Sequence, residues 1–458
     1  MVSLFNKSSI KILIVFSPIF INFFVNIIGD EKFLKIINFN FYNLTLVILL
    51  FVFLFLIGNS IKKVTKLKTI SISIVTYLFS FFILENILLL ITPDLLIFQV
   101  FLINNIIWFV YLVLISKEYY YSFSSLLTYF VLNFVSNNFL DSLEKNKNLI
   151  GDVYDFHFPH VKNIYEKGFY YSMNNSVLEG YPQFLNYIQA LLNTIVIKLD
   201  TYIYLSPSTN VLYFLTLLLF LELDLSKNNK ILIIAIFTIF TFNSEWIRFL
   251  FLDSLMVEGL LSYLFATIIN AVNQSTKLRS KYGYLIFVLF GMLYLTKQFV
   301  SIITLILLLF FLFKKSYRKF VAFGLSGLVI NEISYLTFFK DLTKNYHFKQ
   351  IDVADTIMDI FLIRDLKFEN IGIILKNLFI DKPFTYLLII FFLFLFLQPY
   401  KLYVSNFALS SYVVSILANF ILIFLLYVSV WQNMELESPI RYMLNFFHIT
   451  LISTFIMG

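Results

Sequence analysis

This sequence predicts an all-α polytopic membrane protein, and three observations carry the prediction. Mean hydropathy is +0.86. Hydrophobic residues fill 60% of the 458 positions and charged residues only 13%. No water-soluble domain could hide that much apolar surface, so the solvent for most of the chain is lipid. Second, the apolar residues come in runs near the roughly 20 needed to cross a bilayer, which gives about fourteen spans. Runs of this length are not barrel strands, and in lipid only helices or closed barrels satisfy the backbone. Third, the basic residues behind the net charge of +7 sit in short clusters between apolar runs. That is the positive-inside pattern of cytoplasmic loops, not a nucleic-acid surface. Cysteine is absent, which excludes disulfides, thiolate nucleophiles and cysteine metal sites.

Taken in order, residues 10–28 follow Lys7 and Lys11 and lack a small-residue cleavage site after the apolar run, so they read as a retained first span leaving the cytoplasm. Residues 41–60 return to Lys62, Lys63, Lys66 and Lys68, which marks that side as cytoplasmic. Residues 69–91 go out and turn at Thr92-Pro93-Asp94; 95–115 come back to Lys117; 119–135 go out again. After Pro182, the run over 183–198 has helical spacing but is short and carries Gln183, Asn186, Gln189 and Asn193. It reads as a helix lying in the interface. Residues 210–225 then cross inward to Lys227 and Lys230, 231–246 go out, and 249–272 return to Lys277, Arg279 and Lys281. Residues 284–295 go out, 299–313 come back to Lys314, Lys315, Arg318 and Lys319, and 320–338 lead to a second external loop at 339–383. Residues 384–397 return to Lys401, 405–430 go out and 443–456 end inside. Both termini are then cytoplasmic, and a crossing by 183–198 would put the later clusters on the wrong side. The chain thus divides into N-terminal helices (1–137), an external loop with interfacial helices (138–205) and C-terminal helices (206–458), all one membrane-embedded unit.

The loop centres on residues 151–182, GDVYDFHFPHVKNIYEKGFYYSMNNSVLEGYP, one of the few long polar intervals. Asp152 and Asp155 suit either a solvated loop face or the start of a helix through Val161 and Ile164. His157 and His160 stand three apart, so with Asp155 they would form the ligand set if a divalent cation is used. Without a metal they are ordinary loop histidines. The topology puts these residues on the outer face with Tyr181, Glu245, Arg248, Asp253, Lys297, Glu435, Glu437 and Arg441. Charges at membrane depth are costly and usually functional. Arg248, Lys297 and Arg441 together suit a phosphate or pyrophosphate head group, which Arg binds in bidentate fashion. The plainer alternatives are that Lys297 snorkels, that Arg441-Tyr442 anchors the last span, and that Asp253 caps the span it opens.

Five stretches together resemble the integral-membrane glycosyltransferases of the GT-C type, which include aminoarabinose transferases and protein O-mannosyltransferases. They are Gly151-Asp152-Val153-Tyr154-Asp155-Phe156-His157-Phe158-Pro159 with the following helix to Gly168; Tyr181-Pro182; Leu252-Asp253-Ser254-Leu255-Met256; Leu295-Thr296-Lys297; and Arg441-Tyr442. Their order agrees with the family over residues 140 to 315 and the C-terminus. The chain departs from it in placing about five spans before the acidic loop, and in having Gln183 where the family often has a second proline.

The resemblance implies a transferase that moves a sugar from a polyprenyl-phosphate donor to a glycan, lipid or protein acceptor on the extracytoplasmic face of a cell membrane, read as a bacterial inner membrane. In that scheme Asp152 is the general base, with Asp155 second as base or orienting partner. Lys297 and Arg441 stabilise the leaving phosphate. Tyr154, Tyr181 and neighbouring aromatics stack on sugar faces, and His157, Arg248, Asp253 and Tyr442 complete the substrate surface. Two other classes stay open: a transporter or flippase of lipid-linked glycans, which calls for inverted repeats or charged, broken helices near mid-membrane, of which the sequence offers little beyond Glu258 and Asn331-Glu332, and a non-catalytic assembly subunit in which the loop acids are dispensable.

Overall fold

The structure is a computed structural model that describes residues 41–89, 91–92, 95–138, 158–174, 184–196, 206–248, 250–251, 257–275, 282–293, 298–314, 317–327, 370–378, 381–399, 402, 406–429 and 442–458. Among these residues secondary structure is helical throughout, with no strand. Helix α1 spans Phe41–Thr65, α2 Ile70–Leu89, α3 Ile97–Phe109 and α4 Tyr119–Asn138. A π-helical segment, Val110–Ile115, continues α3. Three short helices follow: α5 Phe158–Lys167, α6 Phe169–Asn174 and α7 Phe184–Val196. Then come α8 Ser206–Glu222, α9 Lys227–Asn243, α10 Glu245–Arg248 and α11 Val257–Ser275. The remainder are α12 Tyr282–Met292, α13 Gln298–Leu312, a helical stretch over 318–327, α14 Asn370–Leu378, α15 Lys382–Leu397, α16 Phe407–Ser429 and α17 Phe447–Met457.

Four stretches are long and apolar enough to cross a membrane: Asn43–Thr65, Ile70–Leu89, Ile97–Ile115 and Phe407–Leu425. This makes the chain a helical membrane protein by length and composition. Several other expected spans coincide with shorter apolar helices, that over 119–135 is the twenty-residue α4, and others, residues 10–28 among them, lie outside the described residues. The expected span over 249–272 is described in part. Within it, helix α11 is described from Val257 to Ser275, and 249 and 252–256 lie outside the described residues.

Polar contacts tie the helix ends into two sets. At one end, Lys63 Nζ meets Glu118 Oε1 at 3.4 Å, joining the end of α1 to the start of α4. At the same end the Glu222 carboxylate, closing α8, accepts from the Ile70 and Ser71 backbone N–H groups at 2.5 and 2.9 Å and from Ser71 Oγ at 2.6 Å. It caps α2, which has no acid of its own in its first turn. Lys66 (φ 55°) and Lys117 (φ 57°) make the turns there in the left-handed region. Gln398 Nε2 donates to Met457 O at 2.5 Å, uniting the ends of α15 and α17. Lys314, just past α13, stands 4.2 Å over the Phe407 ring at the start of α16. At the opposite end, Ser244 after α9 bonds Asp381 before α15, and Gly168 after α5 lies against Leu95 before α3.

Close packing follows small residues. A Cβ added to Gly291 of α12 would stand 2.2 Å from Gly324 O and 3.1 Å from Gly327 Cα. The two backbones therefore meet almost directly, as small residues allow in lipid-embedded helices.

Candidate functional site

The polar stretch enters the described structure at Phe158. Pro159 is the second residue of α5, where its missing N–H costs nothing. His160, Val161, Ile164 and Tyr165 form one buried face, which packs α5 against α3, α6 and α7. The helix stops at Gly168, whose φ of 91° suits glycine. A Cβ there would lie 2.5 Å from Leu95 O. The helix expected up to Gly168 is therefore present, pinned to the start of α3. Of the two histidines, His160 is buried, with Nδ1 3.3 Å from Ser172 Oγ, which makes it a tie between α5 and α6. Asp152, Tyr154, Asp155, His157 and Tyr181 lie outside the described residues, as do Asp253, Lys297 and Arg441.

Arg248 and Tyr442 are described, and both are half-buried. Arg248 closes the four-residue helix α10. Ser244 Oγ accepts from Ile247 N at 2.9 Å and caps that helix. The Ser244 hydroxyl donates to Asp381 Oδ2. Asp381 Oδ1 accepts from Phe384 N at 3.0 Å and caps α15, which has Pro383 in its first turn. One buried carboxylate thus joins the starts of α10 and α15. The Tyr442 carbonyl accepts from Asn419 Nδ2 at 3.3 Å. Asn419 lies roughly 18 Å along α16 from its start, at 1.5 Å per residue. Among the described residues, no group of three His, Asp or Glu side chains is placed to hold a metal ion.

Helix α7 differs from its expected place. All thirteen of its residues are buried, Asn186, Gln189, Asn193 and Thr194 included. It packs against α1, α2, α3, α4, α5, α8 and α11 rather than presenting a polar face outward. Its thirteen described residues cover about 20 Å and are enclosed by the neighbouring helices. Its polar side chains face protein because seven helices surround it.

Two buried polar centres were not among the residues singled out from the sequence. Glu85 of α2 is fully buried; its Oε2 accepts from Tyr187 OH of α7 at 3.2 Å, while Oε1 has no hydrogen-bond partner. The rings of Phe82, Phe169 and Phe184 surround this contact: Phe82–Phe184 at 4.8 Å, Phe82–Tyr187 at 5.5 Å and Phe169–Tyr187 at 5.3 Å. The signal in the sequence was a single carboxylate inside a twenty-residue apolar run. The second centre is His448 of α17, whose Nε2 lies 2.9 Å from Thr216 Oγ1 of α8 and Nδ1 2.7 Å from Ser262 Oγ of α11. Phe220, Phe237, Phe251 and Tyr263 ring it. It fastens three helices, and nothing local in the sequence marks it.

Comparison with protein-family models, with curated proteins and with solved structures returns no match for this chain.

Proposed function

We propose that the protein is a membrane glycosyltransferase that takes a sugar from a polyprenyl-phosphate donor and passes it to an acceptor on the extracytoplasmic face. The observation that supports the reading is that α5, which follows the acidic stretch, and α10, which carries Arg248, are tied at the same end of the helices. Helix α5, directly after the acidic stretch, closes at that end through Gly168 and Leu95. Arg248 follows Ser244, which is bonded there to Asp381 at the border of the second polar loop. Lys62, Lys63, Lys66, Lys68, Lys117, Lys227 and Lys230 belong to the opposite end, which on the positive-inside rule is cytoplasmic. A donor of this class keeps its lipid in the bilayer and its phosphate at the boundary, where Arg248, Lys297 and Arg441 would meet it. Asp152 would accept the acceptor's proton as the hydroxyl attacks the anomeric carbon. The phosphate leaves with its own charge stabilised by the cations.

A second reading, a transporter or flippase of lipid-linked glycans, draws on the enclosed carboxylate of Glu85, because ionisable groups at membrane depth mark substrate and proton paths. One experiment separates the two. Purified protein is incubated with labelled polyprenyl-phosphate sugars, and loss of the lipid donor is followed. Asp152→Asn keeps size and most hydrogen bonds but cannot take a proton, so transfer should fall by about 10²-fold or more. Glu85→Gln should leave transfer near wild type. Full transfer by Asp152→Asn together with an inert Glu85→Gln would overturn the transferase mechanism.

A further inference from the structure

We propose that Asp381 is a positioning residue for Arg248, holding through Ser244 the short helix that presents the guanidinium to a lipid phosphate. The inference rests on the glycosyltransferase reading, and it adds a residue that the resemblance does not supply.

Helix α10 is described over Glu245–Arg248, and its first turn is fixed by what bonds the Ser244 side chain and carbonyl. Ser244 holds it twice. Its Oγ accepts from Ile247 N at 2.9 Å, and its carbonyl accepts from Arg248 N at 2.9 Å. A serine hydroxyl rotates freely unless its proton has a fixed acceptor. Asp381 Oδ2 is that acceptor. An ionised carboxylate only accepts, so the Ser244 proton points to Asp381 and the oxygen lone pairs are left for Ile247 N–H. Asp381 cannot drift, because its Oδ1 is engaged by Phe384 N at 3.0 Å and its carbonyl by Thr385 N at 2.8 Å and Thr385 Oγ1 at 2.8 Å. The chain of contacts runs from α15, through one carboxylate and one hydroxyl, to the backbone N–H of Ile247, the residue before Arg248. A cap needed only for α15 would not require Ser244; a cap needed only for α10 would not require Asp381. The shared hydrogen bond holds the start of α10 against the start of α15.

Trp246 lies inside α10 and reports on it. The chain has three tryptophans; Trp108→Phe and Trp431→Phe leave Trp246 as the single emitter. In detergent micelles, polyprenyl phosphate is titrated into this protein, with the neutral polyprenol as control. The parent should respond to the phosphate and not to the alcohol. Arg248→Gln should weaken the apparent affinity by about 10²-fold, and Asp381→Asn and Ser244→Ala by about tenfold each. Ser244→Thr, which keeps the hydroxyl, should restore binding. The double variant Ser244→Ala/Asp381→Asn should be no weaker than either single variant, because both remove the same bond. Without lipid, both single variants should open Trp246 to iodide quenching while size-exclusion profile and melting temperature stay near the parent. A parent that binds neither compound would remove the glycosyltransferase reading and this inference with it. A parent that binds through Arg248, beside Asp381→Asn and Ser244→Ala variants with parental affinity and parental quenching, would overturn the positioning role alone. Should Asp381→Asn fail to fold, Ser244→Ala carries the same decision from the other partner.

Discussion

Helices α4 and α7 both carry polar residues at helical spacing, and the fold treats them in opposite ways. On α4 the buried positions are Ser122, Ser125, Leu132 and Ser136, while Tyr120, Phe123, Leu127, Phe130 and Phe134 are exposed. The small serines let α4 pack against α1, and the large rings point outward. On α7 both faces are covered, and the polar side chains lie inside with the apolar ones. In water, a polar stripe marks the outer face of a helix. In lipid it marks the inner face, because every polar atom needs a protein partner. The rule for water is what placed α7 at the interface, and the rule for lipid explains both helices.

The largest effect should come from charging α7. Asn193 is fully buried, so Asn193→Lys would strand an ammonium group among seven helices, at a cost of several kcal/mol. Detergent-solubilised protein should lose its monodisperse form. An interfacial helix would let the lysine snorkel into water, and wild-type behaviour of this variant would restore the surface placement.

A smaller effect should follow from filling the serine stripe of α4. Ser125→Leu adds volume at the α1–α4 contact and should destabilise by about 1–3 kcal/mol, whereas Phe130→Leu on the outward face should change stability by less than about 0.5 kcal/mol. Thermal unfolding in detergent reads both. Equal losses would mean that α4 has no inward face. The smallest effect belongs to the exposed contact beside α4. Lys63 and Glu118 are 3.4 Å apart with 50% and 16% of their side chains exposed, and Lys63 also stands 4.3 Å over the Tyr121 ring. Lys63→Ala should cost less than about 1 kcal/mol, and a larger drop in melting temperature would show that the α1–α4 junction depends on it.

The sequence by itself determined the class of the molecule and most helix positions. Hydropathy and run length act through local transfer energies, so α1, α2, α3 and α16 lie where apolar length places them. Local signals also marked α5: Pro159 opens it and Gly168, with φ of 91°, closes it. Of the candidate site, Arg248 and Tyr442 were visible as charged and aromatic residues at the ends of apolar runs, but their partners were not. Arg248 is held on α10 by Ser244, and Tyr442 sits beside Asn419, well along α16. Only tertiary structure decided which side chains meet. Glu222 caps a helix that begins 152 residues earlier. Asp381 bonds a serine 137 residues away, and His448 bonds Thr216 across 232. Contacts of this kind leave no periodicity in the sequence. Hydrogen bonds are short-range and directional, so their partners are fixed by the packing of whole helices, whereas apolar burial in lipid is non-directional and can be read one segment at a time.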